Sequence, residues 1–412
     1  MKIYADLHLH SRFSRATSKN LTIANLEKWA KIKGLNLLGT GDFTHPEWIK
    51  ELKTNLTDNG SGIFTSSGGM NFVLQTEVSL IYTQDGRGRR VHVVILAPNF
   101  DAVDKITKYL LTKGRIDYDG RPIFKIPAHE FVYEMQKIDK DIEVIPAHIW
   151  TPWFGVLGEK GGFNSLKEAF KDQTKNIHAI ETGLSSDPPM NWRIKELDNI
   201  QLISNSDSHS FWPWRIGREA NILELKELTY KNVLKAIRTG KGLLGTIEVD
   251  PNYGKYHFTG HRECGISVSP EEARKLKNIC PVCKKKLTVG VLERVEEIAT
   301  RPEGEKPKNA KHFHSLIPLS ELISTVVGKA VATKTVWVIF NQFLAVFRNE
   351  LNILLEVPYE ELVKIDPKIA DIILKNRNGE IEVKPGYDGV YGVPLLGQKI
   401  PETALNLNKK LS

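Results

Sequence analysis

Cysteine is scarce in this chain: three residues in 412, all between positions 264 and 283. An odd, clustered set excludes a disulfide framework and points to a bound metal. Long apolar runs are missing as well. No 18 consecutive apolar residues occur, and the richest window, 319–347, is broken by Glu321, Lys329 and Lys334, which excludes an ordinary transmembrane helix. The opening residues carry no signal-peptide pattern, and there is no internal repeat or long low-complexity tract. The expectation is a cytoplasmic protein with no membrane partner.

What is present is ordinary globular material, 41% apolar and 26% charged over 412 residues, enough for two or three domains. The net charge of +8 suits a polyanionic partner, and equally the Lys- and Glu-rich surface of a heat-adapted protein.

Residues 1–245 alternate short apolar runs with amphipathic stretches. The runs are 3–10, 35–41, 71–82, 91–98, 142–148, 177–182 and 200–205. Seven strands with helices between most of them predict a parallel α/β barrel. "NLTIANLEKWAKIKG" (20–34) reads as a helix stopped by Gly34, and "TQDGRGRR" (83–90) as a hairpin turn. Residues 246–300 form a basic second region holding the cysteines. In the third, 301–412, an exposed linker (301–314) precedes mainly helical sequence. Its clearest helix, 365–379, has Asp366 as cap and Gly379 as stop.

Each run in the first region carries a metal-ligand type at or near its end. In "DLHLHS", alternation puts Asp6, His8 and His10 on one face of a strand. Asp42 and His45, Glu77, His92, His148, Glu181, and Asp207 with His209 follow on later runs. Barrel enzymes place their chemistry at such strand ends. Imidazole and carboxylate without thiolate suit Zn²⁺, Mn²⁺ or Fe²⁺ better than Mg²⁺ alone. So many ligands suggest two or three ions, which would activate water and stabilise a leaving oxygen. Separately, His261-x-x-Cys264 and Cys280-x-x-Cys283 have the spacing of a closed structural Zn²⁺ site, with His257 as the alternative to His261.

"DLHLHS", "GTGDFTH", Glu77, His92, "PAH" and "SDSH" resemble, in order, the motifs of the polymerase and histidinol phosphatase (PHP) family. The resemblance covers residues 1–245 and implies a distorted seven-strand barrel with up to three metals. His8, His10, Glu77 and Asp207 would hold one, and Glu77 would bridge to a second with His92 and His148. His209 with Asp42 or His45 would hold a third. Asp6 would orient a histidine. Two features depart from the pattern: residues 11–17 contain no histidine, and "TGDFTH" replaces Thr-Asp-His.

Over nearly the whole chain, "GHRECGISVSPEEA", "CPVC" and "PGYDGVYG" are similar to the archaeal endonuclease Q family. That resemblance implies a DNA repair endonuclease, with Mg²⁺ or Mn²⁺ supporting activity. It would cut 5′ of uracil, hypoxanthine or xanthine, or at an abasic site, leaving 3′-hydroxyl and 5′-phosphate ends. The family also allows a sliding-clamp partner, bound through a C-terminal peptide with glutamine and paired aromatics. The end here, "QKIPETALNLNKKLS", lacks that pattern.

Reading an altered base in a duplex requires flipping it out. Trp150, Trp153 and Phe154 follow His148, and Phe211, Trp212 and Trp214 follow His209. They are candidates for wedging or stacking; the competing reading is that they pack the barrel against the zinc module. Arg87, Arg89, Arg90, Arg215 and Arg218 are candidates for phosphate contacts, and the Gly-rich segment 59–70 for a flexible loop. Asp207 and Glu181 are candidates for proton transfer beside the bridging Glu77, although Asp207 is already a ligand and Glu181 is open to a structural role. The runner-up function is a phosphatase for a small phosphate monoester. A third reading is an accessory DNA-binding module with a vestigial barrel.

Overall fold

A computed structural model describes residues 1–395 of the chain. The seven predicted runs each contain a strand: β1 (Lys2–Asp6), β2 (Leu37–Gly39), β3 (Asn71–Gln84), β4 (Arg87–Ala97), β5 (Glu143–Pro146), β6 (Ala179–Glu181) and β7 (Gln201–Ile203). β1, β2 and β3 pair in parallel. β4 then runs antiparallel to both β3 and β5. The Ile149 N–H donates to the Glu181 carbonyl at 3.1 Å, joining β5 to β6, and β6 and β7 are parallel. The ring closes where the His10 N–H donates to the Ser208 carbonyl at 3.0 Å.

The barrel is therefore distorted rather than all-parallel. The cause is local: Asp85 and Gly86 take φ of 53° and 72°, so both central turn residues are left-handed, as a two-residue hairpin between twisted strands demands. Reversal of β4 sets His92 opposite Ser79 in mid-ladder rather than at the end of a strand.

Two helices on the barrel matter for the site. In α1 (Ile23–Lys33), the Thr22 side chain accepts from the Asn25 N–H, and Gly34 ends the helix at φ 101°. α2 (Pro46–Asn55) starts at His45, whose ring accepts from the Glu47 N–H. The segment 59–70 contains a strand of the sheet: Phe64–Ser66 pairs with β3 on one side and with Leu56–Asp58 on the other. Gly62 passes so close to Tyr230 that a Cβ would lie 2.7 Å from it.

Outside the barrel ring, β8 (Ala220–Glu224) pairs with β1 and β9 (Leu243–Glu248) with β8. β9 crosses the 245/246 division read from the sequence, and β10 (His312–Ser315) extends the same sheet alongside it. Beyond β10 lie the helices α3 (Leu319–Val327), α4 (Lys334–Phe347), α5 (Glu350–Leu355) and α6 (Pro367–Arg377). Their attachment to the barrel includes a buried ion pair. Lys33 Nζ, at the end of α1, donates to Glu350 Oε1 at 2.7 Å and to the Pro213 carbonyl at 2.8 Å. Among the described residues, no helix is long and apolar enough to cross a membrane.

Candidate metal centre

Glu77, fully buried on β3, has one carboxylate oxygen in each of two ligand groups. Its Oε2 lies 3.2 Å from His10 Nε2 and 3.6 Å from His8 Nε2. Asp207 Oδ1 joins the group at 3.1 Å from His10 Nε2 and 3.6 Å from His8 Nε2. Glu77 Oε1 is 2.8 Å from His92 Nδ1 and 3.1 Å from His148 Nε2. In each group the ligand atoms lie within 4.8 Å of one another. His8 Nε2 is buried without a hydrogen-bond partner, an orphaned lone pair or proton of the kind a metal would relieve. Burial alone would raise the Glu77 carboxyl, but His92, Arg121 and His8 around it hold it well below the usual carboxylate range.

The backbone is bent to serve this arrangement. Asp42, His148 and Asp207 take φ of 41°, 30° and 47°, left-handed values that cost a residue with a Cβ.

Three further carboxylates stand behind the ligand groups: the proton-transfer candidate Glu181, the expected ligand Asp42, and Asp6. Glu181 meets His8 Nδ1, accepts from the Asn205 side chain at 2.8 Å and accepts from the His148 N–H at 3.0 Å. Its side chain is 1% exposed, at the base of the cleft, and its contacts brace His8 and His148. Asp42 accepts from the Ser11 N–H at 2.6 Å and the Ser14 hydroxyl at 2.9 Å, and meets His10 Nδ1 at 3.1 Å. With its oxygens so engaged, it orients His10 rather than coordinating. Asp6 touches no histidine: it accepts from the Ser206 N–H and hydroxyl and the Gly217 N–H, pinning the segment that carries Asp207. Burial pushes its carboxyl up to about 6.

The third metal set does not assemble. His45 caps α2 and stacks on Phe13, ring centres 4.3 Å apart. His209 Nδ1 lies 3.1 Å from the Asp207 carbonyl, its ring 4.4 Å from that of His10. Among the described residues, no third group of three or more barrel ligand atoms gathers.

Away from the barrel, His261, Cys264, Cys280 and Cys283 bring their ligand atoms within 4.8 Å of one another. The antiparallel pair Thr259–His261 and Ile266–Val268 frames them. His257 is not in the group; it is buried beside Phe258.

The aromatic clusters divide. Trp150 is core, its Nε1 donating to Asn191 Oδ1 at 2.8 Å. Phe211 is buried as well, and Trp212 and Trp214 stack 5.2 Å apart. Both pack on Trp337 of α4, with centroid distances of 5.9 Å. Hence this cluster joins the barrel to the C-terminal helices, not to the region of the cysteine–histidine group. Trp153 is 37% exposed, and Phe154 stacks 4.2 Å from His92.

The arginines divide too. Arg87 and Arg90 are exposed on the β3–β4 arm. Arg89 is buried, donating to the Gly162 carbonyl and to Glu168 while lying over the Phe163 ring. Arg218 is buried against the Ser206 carbonyl, and Arg215 lies over the Tyr391 ring. An open cleft of ≈ 1030 Å³ lies above the centre, lined by His92, His148, Asp207, Trp153, Phe154 and Tyr256. Arg121 and Lys255 also line it. Neither stands out in the sequence, because each lies in a loop without periodicity.

Fold and centre define a metal-dependent phosphoesterase barrel carrying a cysteine–histidine module and a helical C-terminal region. The chain superposes on the lesion-specific endonuclease PfuEndoQ of Pyrococcus furiosus with a TM-score of 0.86 and 34% identity, covering 99% of each chain. With endonuclease Q in complex with a 27-mer duplex substrate bearing an abasic lesion at the active site, the TM-score is 0.87 and the identity 35%, covering 98% of each chain. The uncharacterized protein YqxK of Bacillus subtilis (strain 168) is 30% identical over 411 residues, 95% of this chain and 98% of the relative. Residues 318–380 match the family model of the MJ0043 C-terminal domain. The chain is 34% identical to Methanocaldococcus jannaschii MJ0043 over 288 residues, 68% of this chain, and spans only 34% of that relative's length. The chain belongs to the endonuclease Q family.

Proposed function

We propose that this protein is a DNA repair endonuclease that hydrolyses the phosphodiester 5′ to a deaminated base or abasic site. The carrying observation is the pair of ligand groups sharing Glu77 beneath an open cleft. The chain also aligns over 98% of its length with a family member holding an abasic duplex.

His8, His10, Glu77 and Asp207 would hold one ion, and Glu77, His92 and His148 a second. Their imidazole-rich sets suit Zn²⁺ or Mn²⁺, with added Mg²⁺ or Mn²⁺ supporting turnover, and His261 with the three cysteines suits structural Zn²⁺. Bound ions would lower the pKa of a water and neutralise charge on the phosphoryl group.

The chain's own groups supply the rest. Glu181 and Asp42 fix the rings of His8 and His10 through Nδ1, leaving Nε2 facing inward. Asp207 has a side chain 30% exposed against 1% for Glu181, so Asp207 is the carboxylate placed to handle a proton of the attacking water. In the reaction a P–O bond to water forms and the P–O3′ bond breaks; the 3′-oxygen takes a proton, leaving 3′-hydroxyl and 5′-phosphate ends. Trp153 on the rim is the candidate for stacking on the lesion nucleotide, and Arg87 and Arg90 for backbone phosphates. The barrel, the zinc module and the C-terminal helices are proposed as three functional parts, the last an accessory to DNA binding. The peptide weighed for clamp binding, 398–412, lies outside the described residues.

The test is incubation with Mn²⁺ or Mg²⁺ and 5′-labelled duplexes bearing one uracil, hypoxanthine or abasic site. A single cut on the 5′ side of the lesion is expected, with undamaged duplex left intact. Failure to cut any of them, with turnover of a simple phosphate monoester, would transfer the assignment to a phosphatase.

A further inference from the structure

Arg121 reaches the centre of the site from a loop with no ligand of its own. The guanidinium sits 3.0 Å from Glu77 Oε2, the oxygen that faces His8 and His10. It is 27% exposed and lines the cleft with His92, His148 and Asp207. Of its five N–H donors, the described residues occupy only that directed at Glu77.

The loop holds Arg121 in place from three sides. The Gly120 N–H donates to the Phe13 carbonyl at 3.0 Å, and a Cβ on Gly120 would lie 2.2 Å from Asp42 Oδ2. Only glycine lets the chain pass so near the carboxylate that orients His10. Asp119 Oδ1 accepts from the Arg121 N–H at 3.1 Å. The Pro122 carbonyl accepts from the Ser79 N–H at 3.0 Å, after which Ile123 and Phe124 pair with β3.

A counter-ion for Glu77 would need no such anchorage, since the carboxylate already faces four histidines. Once both Glu77 oxygens are committed to ligation, the loop still keeps the guanidinium at the cleft floor. Its planar fork then matches the oxygens of a phosphoryl group, where negative charge concentrates during displacement. We propose that Arg121 is a catalytic residue that binds a non-bridging oxygen of the scissile phosphate, aimed by the loop Asp119–Pro122. The assignment rests on the endonuclease reading above and deepens it.

The test compares metal-loaded full-length wild type with R121A, R121K and G120A. Three quantities are read: metal content, inorganic phosphate affinity by calorimetry, and single-turnover incision of a uracil duplex. R121A is expected to retain the wild-type metal content, to bind phosphate at least about tenfold more weakly, and to cut roughly 10²–10³-fold more slowly. R121K should recover only part of the rate, because an ammonium lacks the fork. G120A, with the charge kept but misaimed, should also cut slowly. Wild-type phosphate affinity and cutting in R121A would overturn the proposal, as would a rate loss that follows lost metal alone. Absence of incision by wild type would remove the endonuclease reading instead, while phosphate affinity would still decide the role of Arg121.

Discussion

Both carboxylate oxygens of Glu181 lie 3.0 Å from Nδ1 of His8. The same carboxylate accepts from the His148 backbone and from Asn205, so one buried group fixes a residue of each ligand set. Burial in this position makes Glu181 a brace whose loss should be felt through the metals.

Accordingly, E181A is expected to lower metal affinity or activity by about 10–100-fold, with E181Q milder. Metal titration separates this from proton transfer: a proton carrier would leave affinity intact and remove one limb of the pH–rate profile.

Removing a thiolate from the cysteine–histidine group should be a local event. C283S is expected to lose one equivalent of bound metal and to expose residues 257–289 to protease, since metal and folding are coupled in such modules. The barrel should keep its own metals, as read by metal analysis of the purified variant.

Trp150 and Trp153 should separate cleanly. W150A removes a core indole and its bond to Asn191, at a cost of about 3–5 kcal/mol in denaturant unfolding. W153A should stay within about 0.5 kcal/mol of wild type yet cut a lesion duplex roughly tenfold more slowly, through loss of one stacking surface. Unchanged cutting by W153A would remove Trp153 from lesion contact.

The Lys33–Glu350 pair is buried at both ends, with side chains 2% and 0% exposed. E350A leaves the ammonium unpaired and the Leu319 N–H without its acceptor, for a loss of about 3–5 kcal/mol. The double variant K33M/E350L should recover most of it, a difference visible in melting temperature.

Burial pushes the Glu248 carboxyl up to about 8, against hydrogen bonds from Thr246, Thr182 and Ser204. Its value when unfolded is about 4.3, so between those limits the folded protein holds the extra proton. Stability from this group therefore falls as pH rises from about 4.3 and levels off above about 8. Burial and the neighbouring Glu248 raise Glu219 as well, so E248Q should reduce that slope and E219Q/E248Q flatten it, in melting temperatures measured from pH 5 to 9.

The seven strands and the two ligand sets were legible because alternation and strand-end ligands are local signals. His8, His10, Glu77, His92, His148 and Asp207 all meet where the motif order implied. The division of labour among carboxylates was not legible. Whether Asp42 coordinates or braces depends on Ser11 and Ser14 reaching it first, which spacing does not encode. The reversed β4 was foreshadowed only by its turn residues. Trp212 and Trp214 follow a ligand in sequence, yet their environment is set by Trp337, more than 120 positions away. Arg121 carries no signal in the sequence for the same reason, since only the fold brings it to Glu77.

The left-handed conformations of Asp42, His148 and Asp207 bear on how this protein could be made hardier. Strain of that kind costs about 1–3 kcal/mol per residue, and glycine would relieve it. At Asp207, D207G would exchange the carboxylate's contacts with His8 and His10 and its place in the ligand group for that relief. Selection for heat resistance alone would thus drift toward barrels that outlast the natural protein and cut nothing; any stability screen on this scaffold has to be coupled to an incision readout.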